Sequence, residues 1–114
     1  MAMKRIILEM GSGISLHGRD YTKAAVRAVE DAIHHANLTL VRSLGLDPDD
    51  LEIEVHLGAQ DPARIDKDAV AACLPFGRVT VLPVKGGLNV RDEASGRMSV
   101  TVDAGVVVRM PVAE

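Results

Sequence analysis

Tyr21 and Phe76 are the only aromatic residues among 114 positions, and there is no Trp. That scarcity decides what kind of core the chain can build. It must be assembled from Val, Ile, Leu, Met and Ala, which each bury less surface than a ring does. With 47% hydrophobic and 25% charged residues the composition is otherwise that of a globular protein. The length fits a single domain spanning residues 1–114. A domain of this size with an all-aliphatic core has a narrow stability margin, so a homo-oligomer is expected.

The apolar spacing places the elements. "KRIILEM" reads as a first strand that stops at Gly11. Asp20 is placed to cap a helix, in which Ala25, Val29, Ile33, Ala36, Leu40 and Leu44 recur three or four apart up to a stop at Gly45, with Asn37 as a potential break. "DPDD" at 47–50 is a turn. In "LEIEVHL" Leu51, Ile53, Val55 and Leu57 alternate with Glu52, Glu54 and His56, which predicts a half-buried strand.

"DPARIDKDAVAACLPFG" predicts a short helix capped by Asp66 and ended by Pro75 and Gly77. "RVTVLPV" is a third strand, whose Pro83 points to an edge or a bulge. "KGGLNV" reads as a glycine-rich loop or strand break, and "DEASGR" as a hairpin turn. "MSVTVDAGVVVRM" is a long last strand with Val100, Val102, Ala104, Val106 and Val108 on one face. The expected architecture is α+β: a four-stranded mixed sheet with two helices on one face, in the order β-α-β-α-β-β.

Several function classes are disfavoured. A net charge of -3, no basic run and almost no ring for base stacking argue against nucleic acid. No apolar stretch approaches the ~20 residues that span a bilayer. Cys73 is the sole cysteine, which suits a reducing compartment, and "MAMKRIILEMG" lacks the apolar run of a secretory signal. A cytoplasmic protein with no membrane and no nucleic-acid partner is expected.

Chemistry concentrates in "EMGSGISLHGRDYTKAA", residues 9–25. A dinucleotide fingerprint is excluded, because the third glycine would fall on Leu16 and the chain is short for such a fold. Two readings stay open. In one, Gly11, Gly13, Gly18 and Asp20 are turn and cap residues, which leaves His17 unexplained. In the other, the stretch is a binding turn. Ser15 and His17 point the same way in extended backbone, His17 suits general acid–base work, and Arg19 and Lys23 add cations beside a helix start. Ser12 and the N–H groups around Gly11 to Gly13 would complete a grip on an anionic or carbonyl-bearing molecule.

The same stretch resembles a small family of bacterial proteins, also found in plants and first catalogued from Listeria, with a Gly-x-Gly-x-Asp-x-His-Gly motif. The likeness continues through "LPFG" and "VKGGL". It implies that Gly11, Gly13, His17 and Gly18 form the family's signature turn, and it implies no reaction. Ser15 stands where the motif has Asp. A role that needs that carboxylate, or a metal held jointly with His17, is therefore not expected.

A second glycine turn, Lys85-Gly86-Gly87, offers backbone N–H groups and a cation. It reads either as a simple bulge or as the other wall of an anion pocket facing His17. A desolvated Lys85 could there activate Ser12 or Ser15. The remaining candidates read as structural: His34 and His35 point about 100° apart on a helix, His56 lies on a polar strand face, and Cys73 sits among alanines. The sequence-level expectation is a ligand-binding domain, a hydrolase or proton-transfer enzyme with His17 and Lys85 catalytic, or else a non-catalytic binding, regulatory or structural module. No metal is expected and no cofactor is indicated.

Overall fold

The computed structural model describes residues 2–16, 20–35, 43, 45–74 and 76–112. Strand β1 (Ala2–Ser15) is followed by helix α1 (Tyr21–His35), β2 (Glu52–Ala59), the short helix α2 (Lys67–Ala71), β3 (Arg78–Lys85), β4 (Leu88–Arg91) and β5 (Met98–Val112). The strands form one sheet in the order β1-β5-β2-β3, with β4 also paired to β5. Long β5 is the spine. It pairs antiparallel with β1 on one side and with β2 and β4 on the other. β3 runs parallel to β2, as a strand reached through a helical crossover can.

The α+β class, the mixed sheet and the two helices agree with the sequence; the strand count does not. Five strands are present among the described residues, because "KGGLNV" is not a loop. The chain leaves β3 at Lys85 and steps around the end of β2. It continues as β4 in the lane β2 has vacated, where Leu88 faces Thr101 just past the Gly58–Asp103 pair. Only glycine fits this crossing. Gly87 has φ +65°, and a Cβ on Gly86 would lie 3.1 Å from the Gly58 Cα. The Gly86 N–H donates to the Ala59 carbonyl (2.9 Å), which pins the step.

The first strand is also longer than expected, running through Gly11 and Gly13 to Ser15. Gly11 and Gly13 do not end it; they seat α1. A Cβ on either would fall closer than 3.0 Å to helix backbone, at Ala28 and Ala32 for Gly11 and at Ala24 and Ala28 for Gly13. Facing them α1 presents Ala24, Ala28 and Ala32, all fully buried. Glycine against alanine lets the helix approach the sheet closely, and this replaces the area that rings would have supplied.

The two Asp caps are as expected. Asp20 Oδ1 accepts from the Lys23 N–H (3.0 Å), and Asp66 Oδ1 accepts from Asp68 and Ala69 at the start of α2. Leu51, Val55, Leu57, Val100, Val102 and Met110 are fully buried between sheet and helices, each contributing roughly 1.5–3 kcal/mol. β2 alternates as its pattern predicts, and Pro83 lies on the edge strand β3. The hairpin turn closes through Asp92 N–H to Arg97 O at 2.8 Å. The expected continuation of the first helix through Ala36, Asn37, Leu40 and Leu44 lies outside the described residues. No helix among them is long and apolar enough to cross a membrane.

Candidate functional site

The polar groups that gather inside the fold do so at one end of the sheet. Ser15 closes β1 and pairs with Val100 of β5; Asn89 of β4 pairs with the same Val100 from the other side. The two residues therefore lie two strand spacings apart, about 10 Å, on the face that carries α1. Ser15 is only 2% exposed and Tyr21, the first residue of α1, 3%. Asn89 Nδ2 donates to the Tyr21 hydroxyl at 2.8 Å. Its Oδ1 is buried and has no hydrogen-bond partner among the described residues. Buried amide oxygens are rarely left so, because each costs about 1–3 kcal/mol.

The surroundings hold this cluster in place. Gln60 Nε2 donates to the Gly86 and Gly87 carbonyls (3.0 and 3.2 Å), which fixes the crossover into β4. The Arg64 guanidinium lies 5.8 Å from the centroid of the Tyr21 ring, within cation–π range. Thr22 Oγ1 accepts from the Asp66 N–H at 2.9 Å, tying the start of α1 to the start of α2.

The sequence-predicted residues divide into three groups. His17, Gly18 and Arg19 lie outside the described residues, so the expected meeting of His17 with Lys85 does too. Ser15, Gly86 and Gly87 belong to the sheet end that holds Tyr21 and Asn89. Lys23 and Lys85 are exposed, Lys85 at the end of β3 opposite Ala59.

Gly11, Ser12 and Gly13 lie within β1 rather than in a turn after it. Their backbone is built into the β1–β5 ladder, with Gly11 opposite Ala104 and Gly13 opposite Val102. The Ser12 N–H on the free edge donates to Asp31 Oδ2 (3.0 Å), and Ser12 Oγ donates to Asp103 Oδ1 (2.9 Å). Both Ser12 donors are thus hydrogen-bonded within the chain.

Sequence reasoning missed Tyr21 and Asn89. They are 68 positions apart, and only the register of β4 on β5 brings them together. A hollow of about 210 Å³ opens elsewhere, between α1, β1 and β2, bounded by Ile33, Leu51, Ile53, Cys73 and Phe76, with Glu9 as its one charged lining residue among those described. It has almost nothing polar to orient a ligand. Cys73 there donates to the Ala69 carbonyl, and burial, then the nearby Glu30 carboxylate, raises its thiol pKa. It is a structural thiol rather than an activated one. His56 sits on the opposite face of the sheet, 3.4 Å from Glu54.

Residues 5–113 match the family described as conserved hypothetical protein (Lin0512_fam). The chain belongs to that family. It is the Listeria-derived family that the N-terminal motif resembles. A crystal structure from Nostoc punctiforme PCC 73102, described as an FtsZ-like protein of unknown function, is similar throughout: 37% identity, a TM-score of 0.85, and 98% of this chain matched to 99% of that one. No curated protein matches.

Proposed function

We propose that this Lin0512 protein binds a small molecule bearing both a hydrogen-bond donor and a carbonyl or carboxylate, at the sheet end formed by Ser15, Tyr21 and Asn89. The observation that carries this is the buried Asn89 Oδ1 without a partner among the described residues. With Nδ2 committed to Tyr21, that oxygen is oriented to accept from a ligand N–H or O–H. The Tyr21 hydroxyl, accepting from Asn89, keeps its own proton to donate to a carbonyl or carboxylate. The gathered groups are neutral hydrogen-bonding residues, which favours recognition over chemistry. Proton transfer, and with it a hydrolase activity, would rest on His17, which follows Ser15 by two residues.

The FtsZ-like description of the Nostoc relative supports no nucleotide site at this chain's Gly11-Ser12-Gly13. Those glycines are taken up by the contact with α1.

The test is a thermal-shift panel of small cyclic amides, imides and carboxylates. At least one class is expected to raise the melting temperature of the wild type. Tyr21→Phe with Asn89→Leu removes both polar partners together and so keeps the fold near its original stability; it is expected to abolish the shift. His17→Ala separates the two functions: binding retained with turnover lost identifies an enzyme. A ligand that stabilises the double variant as much as the wild type refutes the site.

A further inference from the structure

The sheet has two faces, and the helices cover one. On the other, Leu8, Met10 and Ile14 of β1 and Leu16 just after it are 47–68% exposed, and Val84, Leu88 and Val90 of β3 and β4 are 53–59% exposed. The two groups flank β5 and meet at its Thr101, which pairs with Ile14 on one side and Leu88 on the other. Seven large apolar residues left half bare amount to roughly 700 Å² of surface. That exceeds the patch of roughly 300–600 Å² typical of monomers and approaches the ~800 Å² that each partner contributes to a standard interface.

We propose that a second copy of this chain covers this face, sheet against sheet. Three observations select the mode and the occupant. The edges are poor docking sites. At β1 the Ser12 N–H is taken by Asp31 and the Ile14 carbonyl accepts from Arg27 Nη1 at 2.6 Å; at β3 Pro83 has no N–H to offer.

Two ion pairs within the chain offset charge on the polar half of the same face. Arg109 pairs with Glu54, and Arg78 with Glu52 at 3.1 Å, so these four charges add little like-charge repulsion when two identical faces meet. The area fits one more sheet packed about 10 Å away. The apolar patch runs along the backs of the strands that end in Ser15 and begin before Asn89. Assembly therefore buttresses the candidate site from behind without entering it.

Sedimentation velocity from 1 to 200 µM tests this. The wild type is expected to run as a multiple of the 12.1 kDa chain. Ile14→Glu with Leu88→Glu is expected to bring the mass down to one chain with unchanged far-UV circular dichroism. Ile14→Ser with Leu88→Ser, which removes apolar surface without adding charge, is expected to raise the dissociation midpoint at least tenfold. A wild type that stays at 12.1 kDa at 200 µM overturns the proposal. So does a Ser variant that dissociates at the wild-type midpoint.

Discussion

Gly13→Ala adds one methyl group and asks where it can go. The new Cβ points at the Ala24 carbonyl and the Ala28 N–H of α1, both closer than 3.0 Å, and at the Arg27 Cβ at 2.8 Å. The first two are helix backbone and cannot rotate away. Ordinary contact begins near 3.4 Å, so α1 must retreat from β1 by about an ångström or the strand must bow. Either response loosens the buried row Ala24, Ala28 and Ala32.

Overpacking of this kind costs about 1–3 kcal/mol. With two rigid backbone groups in the way the upper end applies, only partly offset by the ~0.4–1 kcal/mol that alanine gains by restricting the unfolded chain. A net loss of about 2–3 kcal/mol lowers the melting temperature of a chain this size by roughly 10 °C.

The control is Gly105→Ala on β5, where the new methyl would meet only the His56 Cβ at 3.9 Å. It is expected to be neutral or slightly stabilising. Calorimetry or thermal circular dichroism of the two variants decides. A Gly13→Ala protein that melts within a degree or two of wild type would refute the helix-seat reading and return the first glycine pair to the ligand turn.

Two further outcomes follow from single groups. Asp20→Ala removes the acceptor of the Lys23 N–H and is expected to cost on the order of 1 kcal/mol, read as a lower melting temperature with any ligand affinity intact; an unchanged melting temperature counts against the cap. Burial and Glu30 raise the Cys73 pKa above its ordinary value, so the folded protein holds less thiolate than the unfolded chain at pH 8, and iodoacetamide should alkylate it more slowly before than after denaturation.

Where side chains alternate or caps are chemically marked, the sequence was legible. β2 shows its inward Leu51, Ile53, Val55 and Leu57 in plain period two, β5 does the same from Val100 to Val108, and Asp20 and Asp66 occupy the ends their chemistry suits. Glycine and alanine were the obstacle. Gly11 and Gly13 look like punctuation, yet their lack of a Cβ makes a strand that a helix can lie against. Ala24, Ala28 and Ala32 carry too weak a hydrophobic signal to announce the helix face that Tyr21 and Val29 share with them. Gly86 and Gly87 conceal β4 in the same way. The pairing of Tyr21 with Asn89 has no local signal at all, since it exists only once β4 has taken the lane that β2 leaves.

The motif itself can now be read as two interleaved patterns rather than one turn. Along β1 the odd positions Gly11, Gly13 and Ser15 face α1, and the even positions Met10, Ser12 and Ile14, with Leu16 just beyond the strand, are exposed. The odd set decides how close the helix sits and ends in a buried hydroxyl beside the start of α1. The even set is apolar and bare except for Ser12, which is hydrogen-bonded to Asp31 and Asp103. A carboxylate at position 15, as the resembling motif has it, would be buried where the helix start favours negative charge. Ser15 at the same place keeps the burial and drops the charge. The candidate site thereby carries no charge at position 15, and the proposed recognition through Tyr21 and Asn89 does not draw on one. One strand thus contributes the helix seat, one wall of the candidate site and part of the apolar outer face, and alternation alone keeps these three roles apart.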